Sequence, residues 1–247
     1  MELINREGKM IPSVVFRTRN DDNWEDIKSD NLFEGKKVIV FSLPGAYTPT
    51  CSTTHLPRFN ELAPVFKKNG IDEIICLSVN DGFVMEQWGK DQEAQNLRLI
   101  PDGNGEFSEK LGMLVDKSEL VFGKRSWRYS MYVENKQIRK MFIEPQKPGD
   151  PFEVSDADTM LEYLFPEIKI PKSVTLFTKP GCGYCEKAKK RLTESGLHYE
   201  EIILGRGLTS KSLRNVTGRE TVPQVYIEGK HIGESDKLEE YLASLKS

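Results

Sequence analysis

Lys37-Val-Ile-Val-Phe-Ser-Leu-Pro-Gly-Ala-Tyr-Thr-Pro-Thr-Cys51 carries the chain from an apolar run, through a proline–glycine break, to a cysteine. The run Lys37 to Leu43 is apolar without alternation, as a strand buried on both faces of a sheet must be. Downstream, Leu56 to Lys68 gathers Phe59, Leu62, Val65 and Phe66 on one face of a helix. A strand that feeds a helix in this way places Cys51 in the first helical turn. There the unpaired N–H groups and the helix dipole favour an anion. Thr48, three residues upstream, offers a hydroxyl that can donate to a thiolate and accept from a reactant, and Pro44 would shield the sulfur from water.

The same alternation continues outward. Ile74 to Val79 reads as a second buried strand, Phe83 to Gln95 as a second helix, and Leu97 to Ile100 as a short strand. Arg128 to Glu134 and Gln137 to Phe142 form a hairpin-like pair around Asn135-Lys136. A helical pattern (Ala157, Met160, Leu161, Leu164) stops at Phe165, and the stretch Phe165 to Ser173 holds Pro166 and Pro171. Such a proline-bounded joint is short and semi-rigid. Beyond it come a strand (174–178), a helix (183–195), a strand (199–203), a helix (209–216), a hairpin (224–232) and a last helix (236–245). At 247 residues the chain is long for one domain, and the expected boundaries are 1–167 and 168–247. Both halves read as α/β, each a central mixed sheet flanked by helices. The βαβ unit, hairpin and final helix of the second half are the thioredoxin-like arrangement.

Composition narrows the chemistry. The chain is 38% hydrophobic and 30% charged with a net charge of −3, which argues against a nucleic-acid surface. No stretch approaches the ~20 apolar residues that span a bilayer. Met1 to Gly8 has mixed charge and no apolar run, unlike a secretory signal, so a cytoplasmic location is expected. Four cysteines, Cys51, Cys76, Cys182 and Cys185, are then better suited to redox chemistry than to a disulfide framework. His55, His198 and His231 lack the spacing of a zinc site, and no metal is expected.

The segment Pro44-Gly-Ala-Tyr-Thr-Pro-Thr-Cys51 resembles the active-site motif of peroxiredoxins, in the form typical of the type-five class. Ser126-Trp-Arg-Tyr-Ser-Met resembles the later strand that carries the family's arginine, at Arg128. The similarity includes Ser78-Val-Asn-Asp and Ile100-Pro-Asp-Gly-Asn-Gly-Glu-Phe and runs through nearly all of residues 1–165. It implies that Pro44, Thr48, Cys51 and Arg128 are the catalytic set. The Cys51 thiolate would attack the peroxide O–O bond and become a sulfenic acid, with Thr48 and Arg128 stabilising charge on the oxygens. His55, one helical turn beyond Cys51, reads as a packing residue rather than a general base.

Thr178-Lys-Pro-Gly-Cys-Gly-Tyr-Cys185 again joins a strand to a helix, and a Cys-x-x-Cys in that context is a redox pair. It resembles the dithiol glutaredoxin motif, with Gly183 where proline is common. Cys182 is expected to be the exposed, reactive member, with Lys179 nearby to favour its thiolate, and Cys185 the deeper resolving one. Thr221-Val-Pro-Gln-Val resembles the family's cis-proline loop at Pro223. Gly233-Glu-Ser-Asp resembles its Gly-Gly-Ser-Asp turn, with Glu234 in place of the second glycine. The resemblance covers about Lys172 to Lys246 and implies glutathione contacts at Lys179, Tyr184, Thr221, Val222, Pro223, Ser235 and Asp236. Iron–sulfur relatives of the family use a single cysteine in Cys-Gly-Phe-Ser, unlike Tyr184-Cys185 here.

Together the two resemblances imply a peroxidase whose oxidised Cys51 is recycled by glutathione and the Cys182/Cys185 pair. No bound cofactor is expected: glutathione is the reducing co-substrate, and glutathione reductase an indirect partner. Fusion raises the local concentration of the second thiol centre to the order of millimolar. If the joint is too short for that centre to reach its own Cys51, delivery must run between subunits of a dimer or tetramer. Cys76, in the apolar run Ile74-Ile-Cys-Leu-Ser-Val, has two open readings, a packing residue or a resolving cysteine. Two alternatives compete with the peroxidase: a peroxide sensor that relays oxidation, and a deglutathionylating oxidoreductase.

Overall fold

The computed structural model describes residues 3–20, 23–169, 172–205 and 207–245. Ile170 and Pro171 of the expected joint lie outside the described residues, as do Met1, Glu2 and Lys246. The chain divides into two compact units, Met1–Ile168 and Lys169–Ser247.

In the first unit, a hairpin of β1 (Val15–Asn20) and β2 (Asn23–Lys28) leads through α1 (Ser29–Phe33) into β3 (Lys37–Leu43). After β3 come α2 (Leu56–Lys68), β4 (Glu73–Ser78), α3 (Gly82–Asp91), β5 (Arg98–Pro101) and α4 (Glu106–Leu111). A small pair, β6 (Leu114–Asp116) and β7 (Lys124–Ser126), precedes β8 (Tyr129–Glu134), β9 (Gln137–Ile143) and α5 (Ala157–Leu164). The main sheet has the order β5-β4-β3-β8-β9. β3 is parallel to β4 and antiparallel to β8, so the sheet is mixed.

The period-two pleat points successive residues to opposite faces, and because both faces are covered, the middles of β3 and β4 are apolar without alternation. Val38, Val40, Ile75 and Leu77 face one core, built with Leu32, Phe33, Phe107 and Leu111. Ile39, Phe41, Leu43, Ile74 and Cys76 face the other, beneath Phe59 and Phe66 of α2, Trp88 of α3 and Leu161 of α5. Phe41 and Phe59 stack with centroids 4.2 Å apart, tying α2 to the strand that precedes Cys51. The β8–β9 hairpin turns on Asn135 (φ 44°) and Lys136 (φ 67°), the paired left-handed conformation of a two-residue turn.

The helix expected over Phe83 to Gln95 is shorter. α3 ends at Asp91, because Glu93 takes φ 49° and the Ala94 N–H turns back to the Gly89 carbonyl (3.0 Å). The hairpin β1–β2, the three-residue strands β6 and β7, and the short helices α1 and α4 carry too little periodicity to be read from sequence.

The second unit contains β10 (Val174–Thr178), α6 (Gly183–Glu194), β11 (Glu200–Ile203), α7 (Ser210–Thr217), β12 (Gln224–Ile227), β13 (Lys230–Gly233) and α8 (Ser235–Ser244). Its sheet order is β11-β10-β12-β13, with β10 parallel to β11 and antiparallel to β12. Leu176, Val225, Leu192 and Leu242 belong to a separate core.

Each unit having its own core, large-to-small substitutions should act locally. Phe59→Ala should cost the first unit about 3–5 kcal/mol, and Leu192→Ala the second about 2–5 kcal/mol. In scanning calorimetry each change should lower one transition and leave the other in place.

Candidate active site

β3 delivers the chain to Leu43, and the loop from Pro44 to Thr48 carries it to Cys51. That loop is held from the end of β4. The Ala46 N–H and the Ser78 hydroxyl both donate to Asn80 Oδ1, at 3.0 and 2.7 Å. Tyr47 sits at φ 62°, a costly conformation for an aromatic residue, and its hydroxyl donates to Asp91 (2.7 Å). Pro44 is buried and Thr48 half-buried. The Thr48 hydroxyl donates to the Gly45 carbonyl (2.9 Å), so its proton is committed while its lone pairs can accept. Cys51 opens a wide π-helical turn, Cys51–His55, in which the Leu56 N–H donates to the Cys51 carbonyl.

Cys51 is wholly buried, and Arg128, at the entry to β8, reaches it from across the sheet. Arg128 Nη2 donates to Cys51 Sγ at 3.6 Å. The Arg128 side chain is itself only 1% exposed. A buried guanidinium is tolerated only when its donors are matched. Its Nη1 donates to His55 Nδ1 at 3.0 Å, and its Nε and Nη2 reach the two carboxylate oxygens of Asp150 at 3.3 and 2.5 Å. Burial opposes the charge, but Asp150 and Cys51 outweigh it and hold the Arg128 pKa above its ordinary value. The Phe152 ring lies over the guanidinium (5.4 Å).

His55 is buried among Phe41, Phe59 and Phe152. With Nδ1 accepting from Arg128, its proton belongs on Nε2, which lies 3.1 Å from the Ser155 carbonyl. Burial and then the Arg128 charge push its pKa down to about 3, so the ring is neutral. The Ser155 segment is pinned by Glu144, a buried carboxylate. Glu144 accepts from the N–H groups of Glu153, Val154 and Ser155 and from the Ser155 hydroxyl, all within 2.9 Å. His55 is thus a packing residue that also holds the arginine. Asp150, Glu144 and Ser155 were not singled out in the sequence. Glu144 had one signal, a lone carboxylate directly after the apolar run Met141-Phe142-Ile143 that ends β9. Asp150, in Pro148-Gly-Asp-Pro, reads only as a turn.

Cys76 pairs with Phe41 and Leu99 in the centre of the sheet and shares the Cys51 core. Burial, and then the Cys51 charge, push its thiol well above the ordinary range.

In the second unit, Cys182 caps α6. It is half-buried and joined by a disulfide to Cys185, which is buried. The Cys185 N–H donates to Cys182 Sγ (3.2 Å), and that sulfur lies 3.7 Å from the Val222 carbonyl. The Val222–Pro223 peptide is cis. Lys179, Tyr184 and Thr221 are exposed and Val222 is half-buried. Ser235 opens α8 beside the exposed Asp236, and its hydroxyl and carbonyl accept from Arg191. Gly233 has φ 126°, and a Cβ there would sit 2.9 Å from Lys237 Cβ. Glu234 has φ −88°, so that position does not require glycine. Its carboxylate accepts from the Thr221 hydroxyl.

Among the described residues, no helix is long and apolar enough to cross a membrane, and no three His, Cys, Asp or Glu side chains gather as a metal site would need. A Redoxin family model matches residues 6–161, and a Glutaredoxin family model matches residues 174–232. The chain is 62% identical to the hybrid peroxiredoxin hyPrx5 of Haemophilus influenzae, over 96% of this chain and 98% of that one. It is 59% identical to the peroxiredoxin sll1621 of Synechocystis, over 62% of this chain and 88% of that one. The crystal structure of reduced Prx3 from Vibrio vulnificus in complex with hydrogen peroxide superposes with a TM-score of 0.62 at 37% identity. That match covers 65% of this chain and 99% of the other. One match spanning both units, and a buried cysteine–arginine pair followed by a half-exposed Cys-x-x-Cys, lead to one family: this chain belongs to the hybrid peroxiredoxins, oxidoreductases of the peroxidase type in which a peroxiredoxin unit is fused to a glutaredoxin unit.

Proposed function

We propose that the chain reduces hydrogen peroxide and alkyl hydroperoxides at Cys51 and is returned to the thiol form by glutathione acting through Cys182. The observation that carries this reading is Arg128 Nη2 at 3.6 Å from Cys51 Sγ in a site closed to bulk water. A cation in that position favours the thiolate and can donate to an oxygen bearing new charge. The thiolate sulfur takes one peroxide oxygen as the O–O bond breaks. Cys51 becomes a sulfenic acid, and the other oxygen leaves as alkoxide or hydroxide and is protonated by water. Thr48, whose hydroxyl proton is given to Gly45, accepts from the peroxide O–H. His55 is not the base, because both its nitrogens are engaged. It positions Arg128.

Cys51, wholly buried at rest, must then move outward with its turn; a glutathione thiolate attacks the exposed sulfenic sulfur, releasing water after protonation and leaving Cys51 glutathionylated. The Cys182 thiolate attacks the glutathione sulfur and frees the Cys51 thiolate. A second glutathione takes the glutathionyl group from Cys182 as glutathione disulfide; alternatively Cys185 displaces the glutathione as thiol and closes the Cys182–Cys185 disulfide, which two glutathiones reopen to the dithiol as they become glutathione disulfide. Hydroperoxide and two glutathiones thus give alcohol, water and glutathione disulfide, which glutathione reductase recycles. The half-exposed Cys182, the adjoining Thr221-Val222-Pro223 loop and the N–H groups that open α8 at Ser235 and Asp236 support a glutathione groove. Cys76 is read as packing, since its raised pKa keeps it protonated.

In a peroxide assay coupled to glutathione reductase, with no other glutaredoxin present, Cys182→Ser should turn over about 10-fold or more slowly than wild type. Equal rates would assign the second unit another substrate. Mixing Cys51→Ser with Cys182→Ser chains should restore turnover if delivery runs between subunits of a dimer or tetramer, and leave it low if each chain serves itself.

His55 gives a pH signature. Its folded pKa, about 3, lies below the unfolded value of about 6.5, so the unfolded chain binds the extra proton. The contribution of neutral His55 is present above about pH 6.5 and is lost as pH falls toward 3, at up to about 1.4 kcal/mol per pH unit. Urea titrations of the first unit's transition should show this slope, and His55→Gln should flatten it.

A further inference from the structure

Counting the donors of Arg128 shows a competition at the sulfur. A guanidinium has five N–H groups. Nε and one Nη2 proton go to Asp150, the other Nη2 proton to Cys51, and one Nη1 proton to His55. Asp150 therefore takes the donor on the same nitrogen that holds Cys51. The fifth, on Nη1, has no partner among the described residues. A peroxide oxygen that displaced Asp150 Oδ2 would gain the second N–H of Nη2, the nitrogen that lies 3.6 Å from Cys51 Sγ.

The two ends of this ion pair are held differently. Arg128 is 1% exposed, whereas the Asp150 side chain is 40% exposed. Asp150 lies at the end of an exposed stretch, residues 146–150, and among the described residues its carboxylate is held by Arg128 alone. The floor beneath it is fixed. Glu144 pins the chain at Glu153, Val154 and Ser155, and Phe152 stays packed on His55. Asp150 can swing into water at small desolvation cost. Arg128, fully enclosed, cannot follow.

We propose that Asp150 is an internal stand-in for the substrate, a carboxylate that fills the oxygen-binding donors of Arg128 in the resting enzyme and is displaced by the hydroperoxide. The arrangement keeps a buried cation paired while the site is empty, where an unpaired buried ion would be strongly destabilising. It also reduces the fraction of molecules ready for substrate, and so lowers the apparent affinity for peroxide by that fraction. The effect belongs in the dependence on peroxide concentration and not in the saturated rate. The inference rests on the peroxidase reading of Cys51.

The test is the rate of Cys51 oxidation by hydrogen peroxide in the reduced full-length chain, followed by stopped-flow tryptophan fluorescence. Asp150→Ala should oxidise about 5- to 10-fold faster than wild type at limiting peroxide. Asp150→Asn, which keeps the shape and one acceptor without the charge, should rise by less. Sodium formate, a free carboxylate, should compete with peroxide in Asp150→Ala and bring its rate back toward wild type. Sodium chloride at the same ionic strength should not, and wild type should ignore both. Rates unchanged or lowered in both variants, or no specific formate effect, would overturn the proposal. A lowered rate rescued by formate would make Asp150 an orienting group and overturn it equally. If wild-type Cys51 itself resists peroxide, the peroxidase reading fails instead.

Discussion

A guanidinium removed from water is the constraint on which the first unit depends. Arg128 must be buried to stand beside Cys51, and a buried cation is destabilising unless it is paired and hydrogen-bonded. Its partners impose further conditions in turn. His55 can accept only as a neutral ring, which requires an acceptor for its other nitrogen. The Ser155 carbonyl meets that need, and Glu144 fixes Ser155. Glu144 directly follows β9, and its own N–H donates to the Arg128 carbonyl (3.1 Å). The path therefore closes on the residue where it began, passing through the π-helical turn before α2, the chain before α5, the end of β9 and the entry to β8. Trp127 adds a second tie through its indole N–H to the Glu144 carbonyl (2.8 Å).

That closed path explains what the sequence could and could not reveal. Local features were legible because local chemistry fixes them. The apolar β3, the hairpin around Asn135-Lys136 and the Cys-x-x-Cys at a helix start each announce a conformation within a few residues, while the cis-proline loop at Pro223 came from the family resemblance. The family resemblance added Arg128, which no local pattern marks as functional. The polar scaffold stayed hidden because its contacts are long-range: 73 residues separate Arg128 from His55, and 100 separate His55 from Ser155. Nothing in the periodicity of either segment points to the other. His55 illustrates the limit, since its aromatic neighbours make it a core residue by every local criterion while its ring nitrogens serve the site.

Burial alone does not identify the reactive sulfur. Cys51 and Cys76 are both wholly enclosed and belong to the same core. What differs is the nearest donor. Cys51 meets the Arg128 guanidinium, whereas Cys76, in the middle of β4, meets strand neighbours and the charge of Cys51, which reinforces burial in keeping it protonated. A low-polarity setting strengthens whichever electrostatic contact it contains. Under the proposed reading, that contact is what distinguishes Cys51 from Cys76.

The exposure of the two thiol centres matches the size of what each must meet under the proposed cycle. A hydroperoxide is small enough to enter a closed site, and a closed site gives Arg128 its leverage because no water competes for its donors. A glutathione mixed disulfide is far larger and must be attacked in line along its sulfur–sulfur bond. A wholly buried nucleophile could not reach it. Cys182, half-exposed at the start of α6 with Cys185 buried one turn deeper, has that access while keeping a second thiol within bonding distance. Cys51 must leave its enclosure for the glutathione step and return to it for the next peroxide, whereas Cys182 is accessible throughout, and placing the two thiols on different units lets one be closed while the other stays open.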